Sequence, residues 1–131
     1  MLPVTLGVVG SRTFRNYPLL KRELDKLRKT LKVSCIVSGG AQGADKMAER
    51  YARENTLELV VLKPEWRVNG VYDPKAGLNR NTQIIERADF VVAFWDGKST
   101  GTADSMRKTR RLKGEASLLT IRTDKITPAV D

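Results

Sequence analysis

The chain has 131 residues, enough to bury one hydrophobic core without disulfides, and neither a repeat nor a shift of composition divides it. Its 24 Lys and Arg against 15 Asp and Glu leave a formal charge of +9, which favours anionic partners such as nucleotides, polyanions or nucleic acid. The lack of histidine excludes a histidine base, a His-containing zinc site and a Ser-His-Asp triad, and the single cysteine, Cys35, reads as a small buried hydrophobe in an apolar run.

In chain order, Met1-Leu2-Pro3 leads without a signal pattern into a strand from Val4 to Val9, which breaks into Gly10-Ser11-Arg12-Thr13-Phe14. That break supplies a close-approach glycine, a hydroxyl and a guanidinium suited to pairing with phosphate or carboxylate. Leu20, Leu24, Leu27 and Leu31 recur at helical spacing and predict an amphipathic helix over 18–31, with Pro18 in its first turn. A second strand, 33–37, ends in Ser38-Gly39-Gly40-Ala41-Gln42-Gly43-Ala44-Asp45, a glycine turn opening into a helix that carries Ala44, Met47, Ala48, Tyr51 and Ala52 on one face. Glycines there tolerate positive φ and expose backbone N–H groups to an anion at a helix N-terminus. The plain alternative is a tight turn without a ligand.

A third strand, 57–62, gives way to an aperiodic connection from Lys63 to Gly77, in which Trp66 or Tyr72 serves either to stack on a base or to anchor the loop. Leu78–Ala88 reads as a short helix whose polar end directs Asn79, Arg80 and Asn81 towards the strand ends. Strand four, 90–95, closes with Asp96-Gly97-Lys98-Ser99-Thr100-Gly101-Thr102, followed by a helix over 102–112 and a fifth strand over 117–121. The run Arg107-Lys108-Thr109-Arg110-Arg111-Leu112-Lys113 reads as a solvated, basic helix end. Residues 1–122 form one Rossmann-like domain on this reading, and 123–131 a frayed tail.

Five strands alternating with four helices predict a three-layer α/β fold with a parallel sheet of order 3-2-1-4-5. That order brings three strand ends together at one crevice. The expected phosphate contacts are the backbone groups of Gly39, Gly40, Gly43 and Ala44, assisted by the Ser11 and Thr102 hydroxyls and by Arg12. Gly10, Phe14, Ser38, Ala41, Arg80, Asn81, Ser99 and Gly101 complete the expected ligand-binding set. Asp45 accepts from a ribose hydroxyl, or else complements its own helix and holds Arg12. Asp96 is either a desolvated base or ribose contact with a raised pKa, or the acceptor of an Asx turn with Gly97.

Taken in order, Gly10-Ser11-Arg12, Val37–Asp45, Arg80-Asn81 and Ser99–Thr102 resemble the Rossmann-like superfamily of DprA/Smf and the LOG nucleotide phosphoribohydrolases, known as SLOG. They are most similar to its YspA/YpsA-related branch, which implies a small domain binding a nucleotide-derived ligand. The phosphoribohydrolases show Gly-Gly-x-Gly-Thr-x-x-Glu, but here Ser105 stands at the glutamate position and Asp104 falls one residue short, about 100° around the helix. The DprA-like proteins hold single-stranded DNA and match the Ser38–Asp45 turn, although their further segments are not matched. The leading expectation is therefore a nucleotide-ligand sensor or binding module. The alternatives are a nucleotide hydrolase using Asp96, Asp104 or Asp45, and single-stranded nucleic-acid binding. No metal or cofactor and no membrane are expected; weak nucleic-acid association and a homo-oligomer are left open, and the location expected is the cytoplasm.

Overall fold

In the computed structural model, residues 2–125 are described, and within them a five-stranded parallel sheet carries two helices on each face. The strands are β1 (Val4–Gly10), β2 (Val33–Ser38), β3 (Glu58–Val61), β6 (Phe90–Trp95) and β7 (Leu118–Arg122), in the order β3-β2-β1-β6-β7. Once β4 (Arg67–Val68) and β5 (Val71–Tyr72) are set aside as a separate antiparallel hairpin, this is the order expected from the sequence. The helices are α1 (Tyr17–Arg28), α2 (Ala44–Glu54), α3 (Ala76–Arg87) and α4 (Thr100–Leu112).

Alternation along the strands builds two cores. Leu6, Val8, Ile36, Val92 and Phe94 point to one face and pack on Leu20 and Leu24 of α1 and on Ala48 and Tyr51 of α2. Val9, Val37, Val91 and Ala93 point to the other and meet Ile84, Ile85 and Ala88 from the α3 side and Met106 of α4. Central strands buried on both faces need continuous apolar runs, which is how β1, β2 and β6 read. Gly7 lets α3 lie close to the sheet, since a Cβ there would stand 3.0 Å from Ala88 Cβ.

Local expectations change in several places. The helix predicted over 18–31 runs over Tyr17–Arg28, capped by Asn16, whose side chain accepts from Leu19 N at 3.1 Å. Helices α3 and α4 each begin two residues before the predicted start. The Lys63–Gly77 connection is not structureless: Asn69 (φ 52°) and Gly70 (φ 79°) turn the β4–β5 hairpin, and positive φ at both central residues matches the twist of the flanking strands. Of the predicted tail, Thr123–Lys125 forms a 3-10 turn and 126–131 lie outside the described residues. No helix among the described residues is long and apolar enough to cross a membrane.

Candidate functional site

The sheet winds outward in one direction through β1, β2 and β3 and in the other through β6 and β7, so the ends of β1 and β6 diverge. A cleft of about 650 Å³ opens there, between the β1–α1 and β6–α4 loops, and the third loop, at the end of β2, forms its side. Gly10, Ser11, Arg12, Ala41, Asp45, Arg80, Asn81, Asp96, Ser99, Gly101 and Thr102 all line it. A second cleft of about 620 Å³ adjoins it, lined by Gly39, Gly40, Gln42, Lys63 and Pro64, and shares Arg12, Ala41, Trp66 and Arg80 with the first.

Ser11 knots the three loops together. Its N–H donates to Phe94 O at 3.1 Å, its carbonyl accepts from Ala44 N at 3.3 Å, and its hydroxyl accepts from Asp96 N at 3.3 Å. Gly43, with φ +78°, is what permits the approach: a Cβ would lie 2.4 Å from Ser11 O and 2.5 Å from Arg12 O. Gly10 is equally confined, its missing Cβ replaced by Ala44 Cβ and Phe94 O. These glycines admit neighbouring protein atoms, a role separate from the phosphate contact that the sequence reading gives to Gly43. The glycine turn also uses its own donors. Gly40 N donates to Ser38 Oγ at 3.2 Å, Ala41 N to Asp45 Oδ2 at 3.1 Å, and Ala44 N to Ser11 O. Gly40 and Ala44 therefore spend inward the groups expected to face an anion.

Phe14 and Ser38 lie beneath the cleft. Phe14 is buried and stacks on Phe94 at 5.2 Å, while the fully buried Ser38 hydroxyl donates to Glu49 Oε2 at 2.9 Å. Asp45 is buried, and that burial pushes its carboxyl up to about 6, against the opposing pull of Ala41 N–H and of Arg80 and Arg12. Its stronger cationic neighbour is Arg80, where the sequence reading had named Arg12. Arg80 is half-buried; Nη1 donates to Gly39 O and Nε to Asn81 Oδ1 at 3.2 Å. Asn81 passes the link on, its Nδ2 donating to Gly101 O at 3.3 Å and to Asp104 Oδ2 at 3.2 Å. One polar chain thus runs from the β2 end across α3 to the start of α4. Asn79 does not join it, turning to Asp73 Oδ2 instead.

Asp96 takes the Asx-turn alternative. Its Oδ1 accepts from Ser99 N at 2.7 Å and Lys98 N at 2.9 Å, which lowers its pKa where a raised one was expected. Asp104 is also held as an anion: burial raises it, but Lys108, Asn81 and Arg107 together outweigh burial and the net shift is downward. Lys108 Nζ reaches Asp104 at 2.8 Å and donates to Leu78 O at 2.8 Å, with its side chain only 13% exposed. That residue of the basic run is an internal tie between α3 and α4, not part of a solvated helix end. Ser99 caps α4, its Oγ 3.1 Å from Thr102 Oγ1.

Sequence reasoning missed Lys98, Ser105, Ile84 and the wall formed by Pro74, Gly77 and Leu78. Ser105 was findable, since on a helix it shares a face with Gly101 and Thr102, four and three residues earlier.

A parallel sheet of this order, with a glycine turn closing β2 and a cleft at the strand ends, defines a Rossmann-like domain. Residues 6–68 match the model of the YspA, cpYpsA-related SLOG family, and the chain belongs to that family. It is similar to the Gene 61 protein of Mycobacterium phage D29, 32% identical over 111 residues that cover 79% of this chain and 86% of that protein. Among solved structures it resembles DNA processing protein A from Helicobacter pylori, with a TM-score of 0.66 and 23% identity over 90% of this chain. The chain spans 65% of that protein, whose structure is described for its single-stranded DNA binding mode.

Proposed function

We propose that this protein is a binding module for a small nucleotide-type ligand, held in the strand-end cleft with its phosphate at the mouth. One observation carries the reading: the cleft lies where the sheet changes winding direction, and its rim presents the guanidinium of Arg12, which has no carboxylate partner among the described residues, beside half-buried Arg80. The volume suits a ligand of nucleotide size. A hydrolase has less support, because Asp96 and Asp104 are both held ionised by bonds within the protein; Asp45 is the carboxyl in the cleft whose pKa is raised. Calorimetry with a nucleoside and its 5′-monophosphate tests the reading. Arg12→Ala is expected to weaken the monophosphate roughly tenfold or more and leave the nucleoside unchanged. Equal losses for both would refute it.

A second reading, single-stranded nucleic acid, is favoured by the adjoining cleft, which adds Lys63 and extends the track past half-exposed Trp66. The similar protein from Helicobacter pylori supports it as well. Fluorescence anisotropy of an oligonucleotide across a salt series separates the two. The expected result is weak, salt-labile association that disappears when Arg110, Arg111 and Lys113 are neutralised. Tight binding at physiological salt that survives this neutralisation but fails in Lys63→Ala would establish the second reading instead.

A further inference from the structure

The inner end of the cleft differs from its mouth. Val9, Ile84, Asn81, Thr102 and Ser105 are buried and uncharged there, and Asp45 is the buried carboxyl of the lining, whereas the cations Arg12 and Lys98 are exposed at the rim. Two of the three uncharged polar side chains are occupied: the Asn81 amide spans Arg80, Gly101 O and Asp104, and the Thr102 hydroxyl faces Ser99 Oγ. Ser105 is different. It is 1% exposed, its carbonyl accepts from Thr109, and its hydroxyl has no hydrogen-bond partner among the described residues. A helical serine can turn back to the carbonyl four residues earlier, but here Gly101 O receives Asn81 Nδ2. No fully enclosed side-chain nitrogen or oxygen among the described residues lacks a partner, so the Ser105 hydroxyl opens onto the cleft. A hydroxyl this deeply placed needs a partner to offset its lost hydration.

The chemistry of that partner follows from the surroundings. A buried end that carries a carboxyl, Asp45, and no exposed cation rejects a second phosphate. A base edge calls for a two-point amide, and the Asn81 amide is already engaged. One hydroxyl that both donates and accepts matches another hydroxyl. We infer that Ser105 is a specificity-determining residue that reads a ribose hydroxyl, so that the site takes a ribonucleotide seated sugar inward, phosphate on the arginine rim and base towards Trp66. This rests on the small-ligand reading above.

The test is calorimetry of wild type and Ser105→Ala with the four common ribonucleoside 5′-monophosphates and the 2′-deoxy and 3′-deoxy forms of each one that binds. The wild type is expected to lose roughly threefold to tenfold for one of the two deoxy forms, and Ser105→Ala to bind that form and its parent alike. Alanine is the better helix former, so the variant should melt no lower than the wild type. Equal wild-type affinity for all three sugars, or discrimination that persists in Ser105→Ala, overturns the assignment while leaving the small-ligand reading intact. Failure of every monophosphate to bind the wild type overturns both.

Discussion

Gly43→Ala probes whether the glycine turn exists for a ligand or for the protein. At φ +78° and ψ −127° an L-residue is strained, by about 1–3 kcal/mol. The new Cβ also meets two carbonyl oxygens, Ser11 O at 2.4 Å and Arg12 O at 2.5 Å, which belong to backbone and cannot rotate away. Relief requires the β1–α1 loop to move off the start of α2, an overpacking cost of about 1–3 kcal/mol. The movement breaks the 3.3 Å bond from Ala44 N to Ser11 O, worth about 1 kcal/mol. The sum, about 3–7 kcal/mol, is a large share of the stability of a domain this size. It corresponds to a fall in Tm of roughly ten degrees or more. Differential scanning calorimetry and urea titration measure it. Gly101→Ala is the control, because nothing among the described residues lies within 4 Å of its Cβ and the residue sits in α4, where alanine is neutral or stabilising by under about 1 kcal/mol. A Gly43→Ala protein that melts with the wild type yet loses ligand would refute the packing argument and return Gly43 to direct phosphate contact.

Asp45 makes stability depend on pH with an unusual sign. Its folded pKa, about 6, lies above the ordinary value of 3.8, so the folded state holds the proton more tightly and the group's contribution falls as pH rises through that window. Asp45→Asn keeps an acceptor for Ala41 N–H and should raise stability at pH 7 by up to about 3 kcal/mol, with the gain vanishing near pH 4 in urea titrations at stepped pH. A gain that is the same at both pH values would show that Asp45 does not titrate in that window. Lys108→Met removes one of three partners of a carboxylate that is 6% exposed, Arg107 and Asn81 remaining, and should destabilise by about 1–3 kcal/mol, whereas Arg111→Met, on an exposed site of the same helix, should change the urea midpoint little. Equal effects would place Lys108 back among surface charges.

The sheet order was readable because β1, β2 and β6 are continuous apolar runs that only a doubly covered parallel sheet can bury, and their ends carry glycine and small polar residues. The cleft's position followed from that order. The sequence could not say which way each polar group at a strand end turns. Gly43, Gly10 and Ala44 are the residues a phosphate loop would use, yet the same features serve two backbones that must pass within contact distance, and only packing distinguishes the cases. Asp96 likewise had two readings with one composition, and the Ser99 and Lys98 amides decided between them. The hairpin is another matter. Asn69-Gly70 between Val68 and Val71 carries a recognisable turn signature, concealed because two-residue strands are too short to show alternation. Lys108 was misplaced because a charge run says nothing of depth, and its carboxylate partner, four residues back, lies on the helix's inner face.

The long traverse between β3 and α3 is a geometrical debt of the sheet order. A chain that leaves the sheet at one edge strand and re-enters at β6, beyond β2 and β1, must travel some three strand spacings, roughly 14 Å, over the carboxyl ends. Trp66, Pro74 and Gly77, which wall the cleft, lie on this traverse or where it enters α3, outside the buried strands. At its tip, Gly70 has no neighbour within 4 Å among the described residues, so extra residues inserted there meet no resistance. This part of the cleft wall is therefore written outside the core elements: it can be rewritten, lengthened or recharged while the strands beneath it stay as they are.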